Sequence, residues 1–231
     1  MTRALRVGGM VPLTTLDYPG KLSCVLFCQG CAWRCRYCHN PQLIGPRGAE
    51  EVPWHQVLAF LQRRQGLLDA VVFSGGEATL QDSLPEAMAQ VRQMGFGVGL
   101  HSAGIKPQAF ARALSGADWV GFDVKALAEE CALITRVRGS GVANWRSLDM
   151  LLDSGVDYEC RTTVHWDLID PARLLTLAQR LKERGVEHFV VQQVRTAQML
   201  DMSLPKVSMQ AALPALWDTL GELFAQFEVR G

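Results

Sequence analysis

The chain has 231 residues, of which 48% are hydrophobic, enough to bury one ordinary core, and its 23 basic side chains are cancelled by 23 acidic ones. That balance supplies no net positive charge for counterion-releasing nucleic-acid binding and so disfavours a polyanionic partner. No run of about 18 apolar residues could span a bilayer and the N-terminal stretch has no signal-like apolar stretch, so the expectation is a cytoplasmic protein that contacts neither nucleic acid nor membrane.

After an N-terminal extension, residues 1–21, short β-branched runs alternate with longer amphipathic ones. In chain order, strands are predicted at 22–27, 70–73, 97–101, 119–125, 158–165 and 188–194. Between them lie helices with readable ends. Pro53 opens one that runs through Val57, Leu58 and Leu61 to Gly66; another spans 144–152 and stops at Gly155; Asp170-Pro171 opens a third that stops at Gly185. A last helix is predicted from about Ser208 to Phe227, kinked or divided at Pro214. Strand and helix in alternation imply a parallel sheet. Six such units are too few for an eight-stranded barrel of about 250 residues. The expected fold is therefore one α/β domain over 1–231, an open partial (β/α)6 TIM-like barrel of parallel strands, with a doubly wound sheet as the alternative. In either, ligands gather at the C-terminal ends of the strands.

Seven cysteines, five of them between residues 24 and 38, point in a reducing compartment to a metal or redox site. The segment Cys24-Val-Leu-Phe-Cys28-Gln-Gly-Cys31-Ala-Trp-Arg-Cys35-Arg-Tyr-Cys38 contains the spacing C-x3-C-x2-C twice. Cys24 and Cys28 bracket an apolar strand, which at ~3.3 Å per residue holds them ~13 Å apart, too far to share one small cluster. The register that starts at Cys31 is preferred, in the loop 28–41, and Cys24 and Cys28 read as core thiols. Three thiolates at this spacing can bind three irons of a cubane and leave the fourth without a protein ligand. A zinc site completed by Cys28 or His39 is the alternative.

Further polar groups fall at predicted strand ends. Ser74-Gly75-Gly76-Glu77 follows the second strand, and two residues without Cβ either admit a ligand to the backbone or make a tight turn. In 119–125, alternation sends Val120, Phe122 and Val124 toward helices and Gly121, Asp123 and Lys125 inward, as ligand contacts or as an internal ion pair. In 158–165, Glu159, Arg161, Thr163 and His165 share a face; the Arg161 fork suits a carboxylate or ribose edge, and a structural Glu–Arg pair would give the same pattern. His101 reads as a satisfied core histidine, and Cys131 and Cys160 as packing residues.

The run Phe27 to Pro41, with Tyr37 before the third cysteine and His39-Asn40 after it, resembles the radical S-adenosylmethionine (SAM) signature of enzymes that activate glycyl-radical enzymes. Upstream, Thr14-Thr15-Leu16-Asp17-Tyr18-Pro19-Gly20-Lys21 resembles more narrowly the activating proteins of anaerobic ribonucleoside-triphosphate reductases. The resemblance implies a [4Fe-4S] cluster on Cys31, Cys35 and Cys38, the catalytic centre, with SAM on the open iron. It places Tyr37, Cys38 and His39 near the adenine, Gly76 and Glu77 at the amino group of SAM, and Asp123, Lys125 and Arg161 on SAM, the lysine suited to its carboxylate. It further implies reductive cleavage of SAM, removal of hydrogen from a glycine Cα of a glycyl-radical enzyme, and a one-electron reductant such as flavodoxin or ferredoxin. Activation of another glycyl-radical enzyme, such as pyruvate formate-lyase, is the alternative, though no ferredoxin-like insert with further Cys-x2-Cys motifs is present. A zinc or Fe-S binding module is the non-enzymatic one. Where relatives carry Asp-Thr-Asn-Gly this chain has His101-Ser102-Ala103-Gly104, which removes the carboxylate expected of a monovalent-cation site.

Overall fold

A computed structural model describes residues 4–205 and 213–231. Eight strands form one sheet in the order of the chain. They are β1 (Val7–Thr14), β2 (Ser23–Cys28), β3 (Ala70–Gly75), β4 (Gly97–Ser102), β5 (Trp119–Asp123), β6 (Asp157–Val164), β7 (His188–Gln193) and β8 (Gln226–Arg230). The six expected strands are β2 to β7, all parallel. Two more flank them: β1, antiparallel to β2, and β8, parallel to β7. Among the described residues β1 and β8 do not pair with each other, so the barrel is partial and open.

The helices are α1 (Trp54–Gln62), α2 (Leu84–Gln93), α3 (Pro107–Leu114), α4 (Cys131–Thr135), α5 (Ser140–Leu152), α6 (Pro171–Glu183) and α7 (Pro214–Leu223). Asp170 caps α6 by accepting from Arg173 N at 2.9 Å, with Pro171 at the first helical position. Within the described residues, the expected last helix begins at its proline. Pro214 begins α7, Phe224 is already extended, and the alternating Gln-Phe-Glu-Val-Arg that follows is β8, with Phe224 and Phe227 packed on Phe189 of β7. The predicted start of that helix, 208–212, lies outside the described residues.

Alternation along the strands builds two environments. Leu26, Phe73, Leu100, Phe122 and Phe189 are completely buried in the apolar layer shared with the helices, and Cys24, Cys28 and Cys160 lie in that layer too. The other face lines a lumen, and two glycines keep it open. A Cβ on Gly99 would stand 3.0 Å from the Tyr18 ring, which the loop after β1 inserts to stack on Trp119 at 4.9 Å. A Cβ on Gly121 would stand 2.6 Å from the Arg161 guanidinium.

Candidate active site

The C-terminal strand ends converge on a pocket of about 190 Å³. Cys31, Cys35 and Cys38, with Tyr37 and His39, wall one side; Ser74 to Glu77 after β3, His101 to Ala103 at β4, Asp123 and Lys125 at β5, and Arg161 and Thr163 on β6 wall the rest. The residues placed by resemblance at the cluster and SAM, namely Cys31, Cys35, Cys38, Tyr37, His39, Gly76, Glu77, Asp123, Lys125 and Arg161, thus border one cavity, whereas Glu159 and His165 do not line it. A larger cavity of about 680 Å³ lies beside it, between residues 15–19 and the ends of β7 and β8, and the two share His39, Arg161 and Thr163.

The cysteine loop has little regular structure and is held by backbone bonds to distant segments. Gly30 N donates to Leu43 O at 2.8 Å, Arg34 N to Thr135 O at 2.9 Å and Arg36 N to Ile134 O at 3.0 Å. Leu200 N and Asp201 N donate to Cys38 O and Arg36 O at 3.0 and 2.8 Å, and Asp201 also pairs with Arg36 Nε at 2.7 Å. Neither 134–135 nor 200–201 was visible in the motif spacing. Trp33, Ala103 and Ile105 form a small apolar cluster against Cys31 and Cys35. Burial pushes the Cys31 thiol up to about 12 and raises that of Cys35, so both are neutral until a metal cation displaces their protons. All seven cysteines are free of disulfides.

The glycine pair after β3 serves the protein's own backbone. Gly75 has φ +110°, and a Cβ there would lie 2.4 Å from Cys28 N; a Cβ on Gly76 would lie 2.4 Å from Gly30 O. Gly76 N donates to Cys28 O and Glu77 N to Gly30 O, each at 2.9 Å, which welds this turn to the start of the cysteine loop. Glu77 is buried and largely committed: Oε1 accepts from Thr79 Oγ1 at 2.6 Å and Ser102 Oγ at 2.7 Å, and Oε2 from Ala103 N at 3.0 Å. Burial raises its pKa, and these donors oppose the rise. Of the carboxylate's roughly four acceptor sites, at most one on Oε2 is left for anything in the pocket.

Asp123 is the hub of the opposite wall. Its Oδ2 accepts from Lys125 Nζ and its Oδ1 from Arg161 Nε, both at 3.0 Å. Burial alone would raise its pKa, but the two cations hold the carboxyl well below the usual range, and Asp123 in turn keeps the buried Lys125 charged. Lys125 Nζ lies 5.9 Å over the Tyr37 ring, whose buried hydroxyl has no hydrogen-bond partner among the described residues. Beneath them is Asn144 of α5, a residue sequence reasoning took only as a helix start. Fully buried, it donates to Ala103 O at 2.8 Å and Asp123 O at 2.9 Å and accepts from Lys125 N at 3.2 Å, tying β4 to β5.

The histidines divide. His39 Nε2 accepts from Arg195 N at 3.2 Å, and burial lowers its pKa. His101 borders the pocket but is satisfied by the protein, Nε2 against Asp17 O at 2.8 Å and Nδ1 against Ser74 Oγ at 3.2 Å. His165 does not join its supposed neighbours on β6. It lies beyond the strand, fully buried, with Nε2 directed to Pro205 O at 3.0 Å, because β6 ends at Val164 and the alternation ends with it.

The radical SAM superfamily profile matches residues 25–166, the span that carries the cysteine loop and the walls at β3, β5 and β6. The chain belongs to that superfamily. Its enzymes use a [4Fe-4S] cluster and SAM. Among relatives, MJ1227 of Methanocaldococcus jannaschii, provisionally named a glycyl-radical enzyme activating enzyme, is 30% identical over 88% of this chain and 85% of its own. The pyruvate formate-lyase-activating enzyme of Clostridium pasteurianum is 31% identical over 52% of each. Among solved structures, Streptococcus suis SuiB bound to S-adenosylmethionine superposes with a TM-score of 0.68 over 88% of this chain and 48% of that one, at 13% identity, a likeness of fold. The chain therefore spans most of MJ1227 and about half of the other two. Among the described residues no helix is long and apolar enough to cross a membrane.

Proposed function

We propose that this radical SAM enzyme activates a glycyl-radical enzyme, with the cluster on Cys31, Cys35 and Cys38 and SAM between that loop and the Asp123–Lys125–Arg161 wall. The observation that carries the reading is the pocket itself, in which three free thiols face a lysine and an arginine across one cavity. Among the described residues no three Cys, His, Asp or Glu side chains converge on a point fit for a single ion. A cubane does not need such a point, because it offers each thiolate its own iron. Lys125 and Arg161 suit a carboxylate, and the unpartnered Tyr37 hydroxyl offers a polar contact to a nucleoside. Cluster and SAM together supply one-electron reductive cleavage and a carbon-centred radical.

The chain's own residues bind and orient. Asp123 holds both cations toward the pocket, Gly75 and Gly76 let the loop seat closely, and Trp33, Ala103 and Ile105 keep water from one side. The adjoining larger cavity gives a polypeptide segment lateral access at His39, Arg161 and Thr163.

For the partner, the stretch Thr14 to Lys21 favours an anaerobic ribonucleoside-triphosphate reductase, and residues 15–19 of it wall the access cavity. The similarity to pyruvate formate-lyase activators favours the second reading. Reconstituted protein, SAM and reduced flavodoxin are mixed anaerobically with each partner, and electron paramagnetic resonance is recorded. A glycyl-radical doublet on the reductase with release of deoxyadenosine is expected. A doublet only on pyruvate formate-lyase moves the assignment to the second reading, and protein that loads no iron ends both.

A further inference from the structure

The superfamily match ends at residue 166, yet the charge balance of the pocket extends to β8. Glu159 faces the lumen two residues before Arg161 and is 1% exposed. Its natural neighbour is Arg161, but Arg161 Nη1 stops 4.0 Å away and the guanidinium turns its Nε to Asp123. Both Glu159 oxygens are taken instead by Arg230, Nη1 to Oε1 at 2.7 Å and Nη2 to Oε2 at 2.9 Å. Glu228 accepts from the same Nη2 at 2.7 Å and holds the fork in place.

We propose that Arg230 is a positioning residue for the active site: by saturating Glu159 it leaves Arg161 free to face Asp123, and so sets how Arg161 and Lys125 share that carboxylate. A buried carboxylate must find a cation. Without Arg230, Glu159 keeps only the long contacts to Arg161 Nη1 at 4.0 Å and His188 Nε2 at 3.9 Å, and the attraction of a full charge at that range draws the guanidinium away from Asp123. Asp123 then depends on Lys125 alone, which is less available to the carboxylate of a ligand. Neutralising Glu159 in addition removes the pull, so the second change repairs the first.

The proposal rests on the reading that this pocket receives SAM, and the test separates the two. SAM affinity of anaerobically reconstituted protein is measured by calorimetry, with iron content determined alongside. Arg230→Ala is expected to weaken SAM about tenfold with iron loading unchanged, while Arg230→Ala with Glu159→Gln returns to within about threefold of the parent. A merely structural Arg230 predicts a loss of stability in urea unfolding, also relieved by Glu159→Gln, with SAM affinity of the iron-loaded protein unchanged. Unchanged affinity in Arg230→Ala, or a loss that Glu159→Gln does not relieve, overturns the proposal. If Arg230→Ala does not load iron, Arg230→Lys, which cannot grip both oxygens, decides by the same criterion. A parent protein that binds no SAM overturns the site reading, and this proposal with it.

Discussion

On the β2 to β4 side of the pocket the backbone holds the site, whereas on the β5 to β8 side charged side chains hold it. The cysteine loop is fastened by amide bonds to 43–44, 134–135 and 200–201 and by the turn at Gly75 and Gly76, where a Cβ would strike main chain. The far wall is a set of shared carboxylates, Asp123 between Lys125 and Arg161 and Glu159 under Arg230. The difference suits the proposed tasks: three thiolates holding a rigid cluster would need a fixed relation, while a SAM molecule that arrives and leaves as product fragments would be better met by long side chains that can re-pair.

The sharpest way to break the comparison is on the cysteines themselves. Ala at Cys31, Cys35 or Cys38 should abolish loading of about four irons per chain, whereas Cys24→Ala or Cys28→Ala should keep most of it, since those thiols sit in the helix-facing layer. Iron analysis with the visible absorption spectrum decides, and equal losses from Cys24→Ala and Cys31→Ala would contradict the register.

A smaller and more discriminating effect comes from adding one methyl to each wall. Gly75→Ala forces a Cβ to 2.4 Å from Cys28 N at φ +110°, and neither backbone can yield, so loss of several kcal/mol or of soluble protein is expected. Gly121→Ala meets side chains rather than backbone, the end of Arg161 at 2.6 Å and the His101 ring at 3.0 Å. It should cost about 1 kcal/mol in urea unfolding yet weaken SAM about tenfold by displacing the guanidinium. Similar stability losses in the two variants would dissolve the distinction between the walls.

The same difference explains what the sequence disclosed. The six central strands and the lumen-facing Asp123, Lys125 and Arg161 were legible because each follows from local spacing or alternation, and Cys31, Cys35 and Cys38, picked out by the same spacing, border the pocket. The anchors at Thr135, Leu200 and Asp201 were not, because a backbone carbonyl or amide is the same at every residue. Arg230 was hidden for a different reason. Glu159 and Arg161, two apart on one strand, invited pairing with each other, and only the addition of β8 at the sheet edge beyond β7 gives Glu159 a better partner. Strand β8 itself was absorbed into a predicted helix, since Pro214 marks a beginning and the alternation after Phe224 is only five residues long. For Glu77 and Gly76 the pattern was read as ligand contact, and most of their bonding is internal, a distinction spacing does not encode.

A pH-dependent effect lies at the seam, where His101 is bonded to Ser74 of the first wall and faces the charge of Arg161 on the second. Its Nε2 faces the Asp17 carbonyl and must donate there, so Nδ1 accepts from the Ser74 hydroxyl and the neutral ring satisfies both contacts. Burial first, then the Arg161 charge, lowers its pKa to about 3. The unfolded chain titrates near 6.5, so between roughly pH 6.5 and 3 the unfolded state binds the extra proton. Stability from this residue is therefore complete above that window and declines as pH falls through it. His101→Gln keeps an amide donor for Asp17 O and does not titrate. In urea unfolding of the metal-free protein from pH 7 to pH 4, its stability should fall less steeply than the parent's, by up to about one proton or roughly 1.4 kcal/mol per pH unit. Parallel curves would mean that folded His101 takes up its proton over the same range as in the unfolded chain, and that neither burial nor the Arg161 charge opposes it.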